Sequence, residues 1–194
     1  MLAPECAEEY GNKLVTGSQT AETQTVITVP VKSSGMVSEG DEAPNVTAPL
    51  ANGDIDSITL SDALETEAPM VLAFFPGAFT SVCSHEMNTF QDRLEKVEDI
   101  GATLYGVSVD SPFALNKFRE ELGLEFDLIS DANHELIEAY DVVTGFDQYG
   151  IDSLAQRAVF IIDADGTVTY AWVADNAGLE PDYEEVIAAA EDAA

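Results

Sequence analysis

Apolar and polar residues follow one another along the chain with a period that changes from segment to segment. Residues 70–75 (MVLAFF) are continuously apolar, which indicates a strand buried on both faces. In the next segment the apolar residues recur about every 3.6 positions, which predicts one long helix reaching Val97. The apolar positions of this predicted helix are Val82, Cys83, Met87, Phe90, Leu94 and Val97.

The alternation of strands and helices continues downstream. Residues 103–109 have the composition of a second strand, and Ser111 followed by Pro112 predicts a capped helix that runs to about Leu122. Shorter elements complete this part of the pattern: strands at 55–60 and 126–129, and helical segments at 61–64 and 134–140.

The end of the chain carries a hairpin signal. Residues 158–162 and 167–173 are apolar runs on either side of the turn sequence 163–166 (DADG), and Pro181 opens a last helix. A βαβ unit therefore comes first and a ββα unit last. We predict an α/β fold with one mixed central sheet flanked by helices.

The first 35 residues differ from the rest of the chain. They are rich in Ser, Thr, Gln and Glu, and residues 32–35 (KSSG) have the composition of a linker before a second methionine, Met36. We predict a flexible N-terminal extension at 1–35 and a folded domain at 36–194. An over-long start assignment that adds little to the protein is the alternative.

Composition narrows the class of protein. The chain has 194 residues, 46% of them hydrophobic, which is enough for the core of one domain. Its 37 acidic and 7 basic residues give a net charge of −30, which repels nucleic-acid backbones and anionic membrane surfaces. Self-repulsion of this size is screened by concentrated salt, so we predict a halophile protein.

Cysteine usage and the N-terminal sequence bear on the compartment. Only Cys6 and Cys83 are present, which is too few for a secreted disulfide framework. The N-terminus has no basic and apolar leader, and no run approaches the length of a membrane span. These features predict a cytoplasmic location.

The segment 76–86 (PGAFTSVCSHE) carries the candidate chemistry. It places Cys83 in the first turn of a helix, where unpaired N–H groups and the helix dipole stabilise a thiolate over a thiol. A buried inert cysteine is the alternative, because Cys83 also lies on the apolar stripe with Met87 and Phe90. On spacing alone the two alternatives are equally good.

Attack on a peroxide O–O bond is the reaction that suits a lone activated thiolate. Such a site needs a hydroxyl to hold the peroxide, a cation to stabilise the developing charge and a rigid apolar wall against water. Thr80, Arg157 and Pro76 are the candidates for these three groups, in that order.

The spacing PxxxTxxC, which stands here as Pro76, Thr80 and Cys83, resembles the active-site motif of the peroxiredoxins. The resemblance covers roughly residues 36–183, including the stretches 40–44 (GDEAP), 107–113 (VSVDSPF) and 156–160 (QRAVF). It is most similar to the bacterioferritin-comigratory and one-cysteine branches. It implies a thioredoxin-like fold and a thiol-dependent peroxidase that reduces hydrogen peroxide or organic hydroperoxides through a sulfenic acid.

The resemblance also assigns roles to individual residues. It implies that Cys83 is the peroxidatic cysteine, Thr80 its hydroxyl partner, Pro76 the shield and Arg157 the charge stabiliser. Glu86, three residues after Cys83, then fixes the Arg157 guanidinium, although an acid near a helix N-terminus is favourable in any case.

The chain departs from several relatives in its resolving cysteine, because no cysteine follows Cys83. Only Cys6 on the extension remains as an internal partner, so we favour one-cysteine turnover with an external thiol, either a thioredoxin-like protein or a small thiol. A resolving role for Cys6 stays open, as does a homodimer.

No cofactor is expected. Nucleotide-binding motifs are missing, and Cys83, His85 and Glu86 within one helical turn cannot all point at one metal ion. A non-enzymatic redox sensor, in which oxidation of Cys83 is read by a partner protein, is the alternative to the peroxidase.

Overall fold

The computed structural model describes residues 35–194, and residues 1–34, with Cys6 among them, lie outside the described part. Nine strands and six helices occur in the described part. The strands are β1 Thr47–Ala51, β2 Ile55–Thr59, β3 Met70–Phe74, β4 Thr103–Ser108, β5 Asp127–Ser130, β6 Val143–Phe146, β7 Ile151–Ala155, β8 Ala158–Ile162 and β9 Val168–Val173. The helices are α1 Leu60–Glu67, α2 Ser81–Gln91, α3 Leu94–Asp99, α4 Pro112–Leu122, α5 Glu135–Ala139 and α6 Tyr183–Asp192.

Seven of the strands form one mixed sheet in the order β2-β1-β5-β4-β3-β8-β9. Strands β3, β4 and β5 are parallel, whereas β8 pairs antiparallel with β3, and β9 pairs antiparallel with β8. The predicted βαβ and ββα units and the hairpin turn at 163–166 are therefore confirmed. A separate antiparallel pair, β6 and β7, was not predicted, because its strands are short and broken by polar residues.

Both faces of the sheet are covered. Side chains of β3 alternate between two apolar clusters: Val71 and Ala73 face the first, and Leu72 and Phe74 face the second. Helices α2, α3, α4 and α6 contribute to the first cluster, and α1 and α5 contribute to the second. Burial on both faces explains why this strand is continuously apolar.

The single long helix predicted up to Val97 is wrong. Helix α2 ends at Gln91, and Arg93 N–H donates to the Phe90 carbonyl three residues back instead of continuing the α-helical pattern. Helix α3 then resumes at Leu94, and Leu94 and Val97 still reach the first cluster. The apolar period continues across the break, so it could not reveal the break.

Candidate active site

Cys83 lies where the loop after β3 enters helix α2. Thr80 occupies the N-cap position and Ser81 begins the helix, so Cys83 falls in the first turn, as predicted. The cysteine is 2% exposed and packs in the first apolar cluster. Its sulfur is thus shielded from water near the positive end of a helix.

Sheet pairing brings Arg157 to the cysteine. Strand β8 runs antiparallel to β3 and pairs Ala158 with Phe74, so Arg157 lies beside the point where β3 leads into the Pro76 loop. Arg157 is 1% exposed, and its Nη2 donates to Cys83 Sγ at 3.4 Å. A buried guanidinium therefore contacts the buried sulfur directly.

Glu86, about one helical turn after Cys83 in α2, is the third member of this buried cluster. Its Oε2 pairs with Arg157 Nη1, and its side chain is fully buried. Burial raises the pKa of Glu86 to about 8, although contact with Arg157 acts in the opposite direction. Within residues 35–194, Glu86 Oε1 and Arg157 Nε have no hydrogen-bond partner, so this part of the chain uses the hydrogen-bonding capacity of the cluster incompletely.

The guanidinium itself stays charged in this setting. Burial lowers the pKa of Arg157, but the neighbouring Glu86 and Cys83 more than offset that effect, and the net direction is upward. The cluster therefore combines a charged guanidinium with the Glu86 carboxyl at Nη1 and the Cys83 sulfur at Nη2.

The loop between β9 and α6 covers the other side of Arg157. The Ala177 carbonyl accepts from Arg157 Nη2 at 2.9 Å, so one guanidinium nitrogen serves both this carbonyl and the cysteine sulfur. Ala174 N–H donates to the Arg157 carbonyl at 2.9 Å. Sequence reasoning missed the Ala177 contact, because a main-chain carbonyl leaves no signal in the residue types.

The loop between β9 and α6 also contacts α2, through His85. Nδ1 of His85 lies 2.9 Å from Glu180 Oε1, and Tyr183 donates to Glu180 Oε2 at 2.5 Å. The His85 side chain is 69% exposed, and within residues 35–194 no group of acidic, His and Cys side chains gathers in a way that would hold a metal ion.

Thr80 and Pro76 lie on the loop that precedes the cysteine. Pro76 is buried two residues after the end of β3, and Thr80 Oγ1 donates to the Gly77 carbonyl at 3.1 Å. The structure thus brings Cys83, Glu86 and Arg157 into direct contact, and it places Thr80 and Pro76 at the two ends of the adjoining loop.

Asp110 is a further residue of this region that sequence reasoning did not single out. It follows β4, and its carboxylate accepts from Ala78 N–H in the Pro76 loop at 2.7 Å. It lies within the stretch 107–113 noted above, but the chain has 37 acidic residues, and nothing in the sequence alone distinguishes this one.

The chain is similar in sequence to known proteins. Residues 39–171 match the model of the AhpC/TSA family. The chain is 35% identical over 142 residues to a chloroplastic 2-cysteine peroxiredoxin of Chattonella marina var. antiqua, covering 69% of each chain. It is 32% identical over 134 residues to peroxiredoxin Bcp of Bacillus subtilis, covering 69% of this chain and 83% of the relative.

Solved structures of known proteins share this fold. Peroxidoxin BcpB of Mycobacterium tuberculosis superposes with a TM-score of 0.70 at 25% identity, covering 80% of this chain and 97% of that chain. The predicted thioredoxin-like α/β fold, with its mixed sheet flanked by helices, is thereby confirmed.

Proposed function

Because the chain belongs to the AhpC/TSA family and is a peroxiredoxin, we propose that Cys83 carries its thiol-dependent peroxidase activity, with Arg157, Glu86, Thr80 and Pro76 around it. The observation that carries the proposal is the 3.4 Å contact between Arg157 Nη2 and Cys83 Sγ inside a buried site. A guanidinium at this distance stabilises the thiolate, which is the nucleophilic form of the cysteine.

The reaction uses each of these groups. The Cys83 thiolate attacks one peroxide oxygen, a S–O bond forms, and the O–O bond breaks. The sulfur is oxidised to a sulfenic acid, and the departing hydroxide or alkoxide takes up one proton to become water or alcohol. Arg157 stabilises the negative charge on the oxygens as the bond breaks, and its pairing with Glu86 fixes the orientation of the guanidinium.

Thr80 and Pro76 act on the peroxide rather than on the sulfur. The Thr80 hydroxyl, which donates to the Gly77 carbonyl here, can rotate to hold a peroxide oxygen. Pro76 is a rigid buried residue with no N–H, so it shields the sulfur without offering a competing donor.

Regeneration calls for a second thiol. Since Cys6 is the only other cysteine of the chain, we propose that an external thiol, a thioredoxin-like protein or a small molecule, attacks the Cys83 sulfenic acid. Water leaves and a mixed disulfide forms, which a further thiol reduces. A resolving role for Cys6, a homodimer, a cytoplasmic location and a halophile source stay predictions. Among the helices at 35–194, none is long and apolar enough to span a bilayer.

Intact mass spectrometry after one equivalent of hydrogen peroxide, in concentrated potassium chloride, tests the proposal. We expect the wild type to gain one oxygen, Cys83→Ser to gain none, and Cys6→Ser to behave as the wild type. Repeated turnover with an added dithiol distinguishes a peroxidase from a sensor that is oxidised once. Peroxide consumption that survives in Cys83→Ser would overturn the assignment, and loss of two hydrogens that depends on Cys6 would make the extension part of the reaction.

A further inference from the structure

The Pro76 loop is tied to the end of the sheet by a carboxylate that the reaction scheme above does not use. Asp110 Oδ2 accepts one hydrogen bond from Ala78 N–H and another from Ser108 Oγ, both at 2.7 Å. The Asp110 carbonyl accepts from Ser130 Oγ at 2.7 Å. The side chain and the main chain of Asp110 are therefore both fixed by residues at the ends of β4 and β5.

The loop that Asp110 holds is conformationally strained. Phe79 has a φ of 63°, in the left-handed region that bulky side chains disfavour. Such a conformation persists only where its surroundings fix it. Two contacts do so here: the Ala78–Asp110 hydrogen bond immediately before it, and the edge-to-face packing of the Phe79 ring on Phe118 at 5.2 Å.

We propose that Asp110 is a positioning residue of the peroxidase: through Ala78 N–H it fixes the loop that carries Pro76 and Thr80 next to Cys83. The inference rests on the proposed function, because it takes this loop to be the peroxide-binding loop. A charge-assisted hydrogen bond to a main-chain N–H is strong and directional. Small displacements of a positioned group cost large factors in rate, so loss of this bond slows the reaction without removing a reacting group.

The test compares the rate constant for Cys83 oxidation by hydrogen peroxide in three variants. Asp110→Ala removes both acceptors, and we expect a fall of about tenfold or more. Asp110→Asn keeps an oxygen that can accept from Ala78, so it retains most of the rate. The matched control is Asp163→Ala, which removes two similar main-chain bonds, at 3.0 and 2.9 Å, from the turn at the end of β8 opposite Arg157. The control keeps the wild-type rate.

A second reagent separates positioning from general damage. Alkylation of Cys83 by iodoacetamide needs the thiolate and access to the buried sulfur but no peroxide-binding loop, so Asp110→Ala is alkylated at the wild-type rate or faster. The inference is overturned if Asp110→Ala oxidises as fast as Asp163→Ala, or if alkylation and oxidation fall together.

A measurement on the wild-type protein covers the case in which Asp110→Ala does not fold. Hydrogen exchange at the Ala78 amide is slow if Asp110 holds it, and exchange at the rate of an unstructured loop would overturn the inference. A wild-type protein whose Cys83 does not react with peroxide would instead defeat the proposed function. The two failures are therefore distinguishable.

Discussion

Glu86 and Asp131 are both buried carboxylates, at 0% and 2% exposure, but their oxygens are used differently. Both oxygens of Asp131 accept main-chain N–H groups at the start of α5, from Leu136 at 2.9 Å and Ile137 at 2.8 Å. One oxygen of Glu86 accepts from Arg157, and the other has no partner in the part of the chain that the structure describes. Main-chain donors to both oxygens of Asp131 hold α5 in place, whereas Glu86 belongs to the site that we propose for the peroxide chemistry.

The electrostatics of the two groups supports this division. Burial raises the pKa of both carboxyls; main-chain hydrogen bonds lower it again at Asp131, and the Arg157 charge does so at Glu86. The donors to Asp131 are main-chain groups fixed in α5, whereas the donor to Glu86 is a guanidinium that also contacts the Cys83 sulfur. Within residues 35–194, one Glu86 oxygen has no hydrogen-bond partner, which is a second difference from Asp131.

The largest expected effect is on the pH dependence of stability. Glu86 has a pKa of about 8 in the folded protein against an ordinary value of 4.5, so between these pH values the folded state holds a proton that the unfolded state has released. The free energy of unfolding therefore falls as pH rises through this window, and Glu86→Gln removes that fall, a few kcal/mol in all.

Urea unfolding in concentrated potassium chloride measures this difference. Both proteins carry Cys83→Ser so that oxidation of the thiol does not enter the comparison, and they are identical at every other residue, so position 86 alone distinguishes them. If the free energy of unfolding depends on pH in the same way in both proteins, Glu86 is ionised in the folded protein over the whole pH range measured. That result would contradict the proposed electrostatic difference between Glu86 and Asp131.

The next effect is on the chemical step. Arg157→Lys keeps a positive charge but loses the planar fork that reaches Glu86, Cys83 and the Ala177 carbonyl together. We expect the rate constant for Cys83 oxidation to fall by about a hundredfold, the loss typical of removing one donor from a charge-stabilising site. Stopped-flow oxidation with hydrogen peroxide measures this rate constant.

Arg119→Lys is the matched control, because that arginine bonds the main chain near β5 instead of the sulfur. Equal losses in both variants would contradict the assignment.

The same contrast explains what sequence could and could not reveal. The apolar run of β3 and the position of Cys83 in the first turn of α2 follow from local pattern, and both were predictable. Arg157 and Cys83 are 74 residues apart, and their contact depends on the antiparallel pairing of β8 with β3. The family resemblance assigned Arg157 to the site, but neither the resemblance nor the periodicity predicted this pairing. The contact between Arg157 and the Ala177 carbonyl depends on the conformation of the loop, so it cannot be predicted from residue types.

The smallest expected effect is at the structural carboxylate. Asp131→Ala leaves two N–H groups of α5 without their acceptor, and loss of such a cap costs about 2 kcal/mol of the free energy of unfolding. The rate of Cys83 oxidation stays at the wild-type value, because Leu136 and Ile137 of α5 pack in the second apolar cluster whereas Cys83 packs in the first, on the opposite face of the sheet. Asp131→Asn retains one acceptor oxygen, so its free energy of unfolding lies between the values of the wild type and Asp131→Ala. Urea unfolding and peroxide kinetics on the same samples give both quantities. A loss of oxidation rate in folded Asp131→Ala would mean that the two carboxylates are coupled through the sheet, and the separation of a structural from a reacting carboxylate would fail.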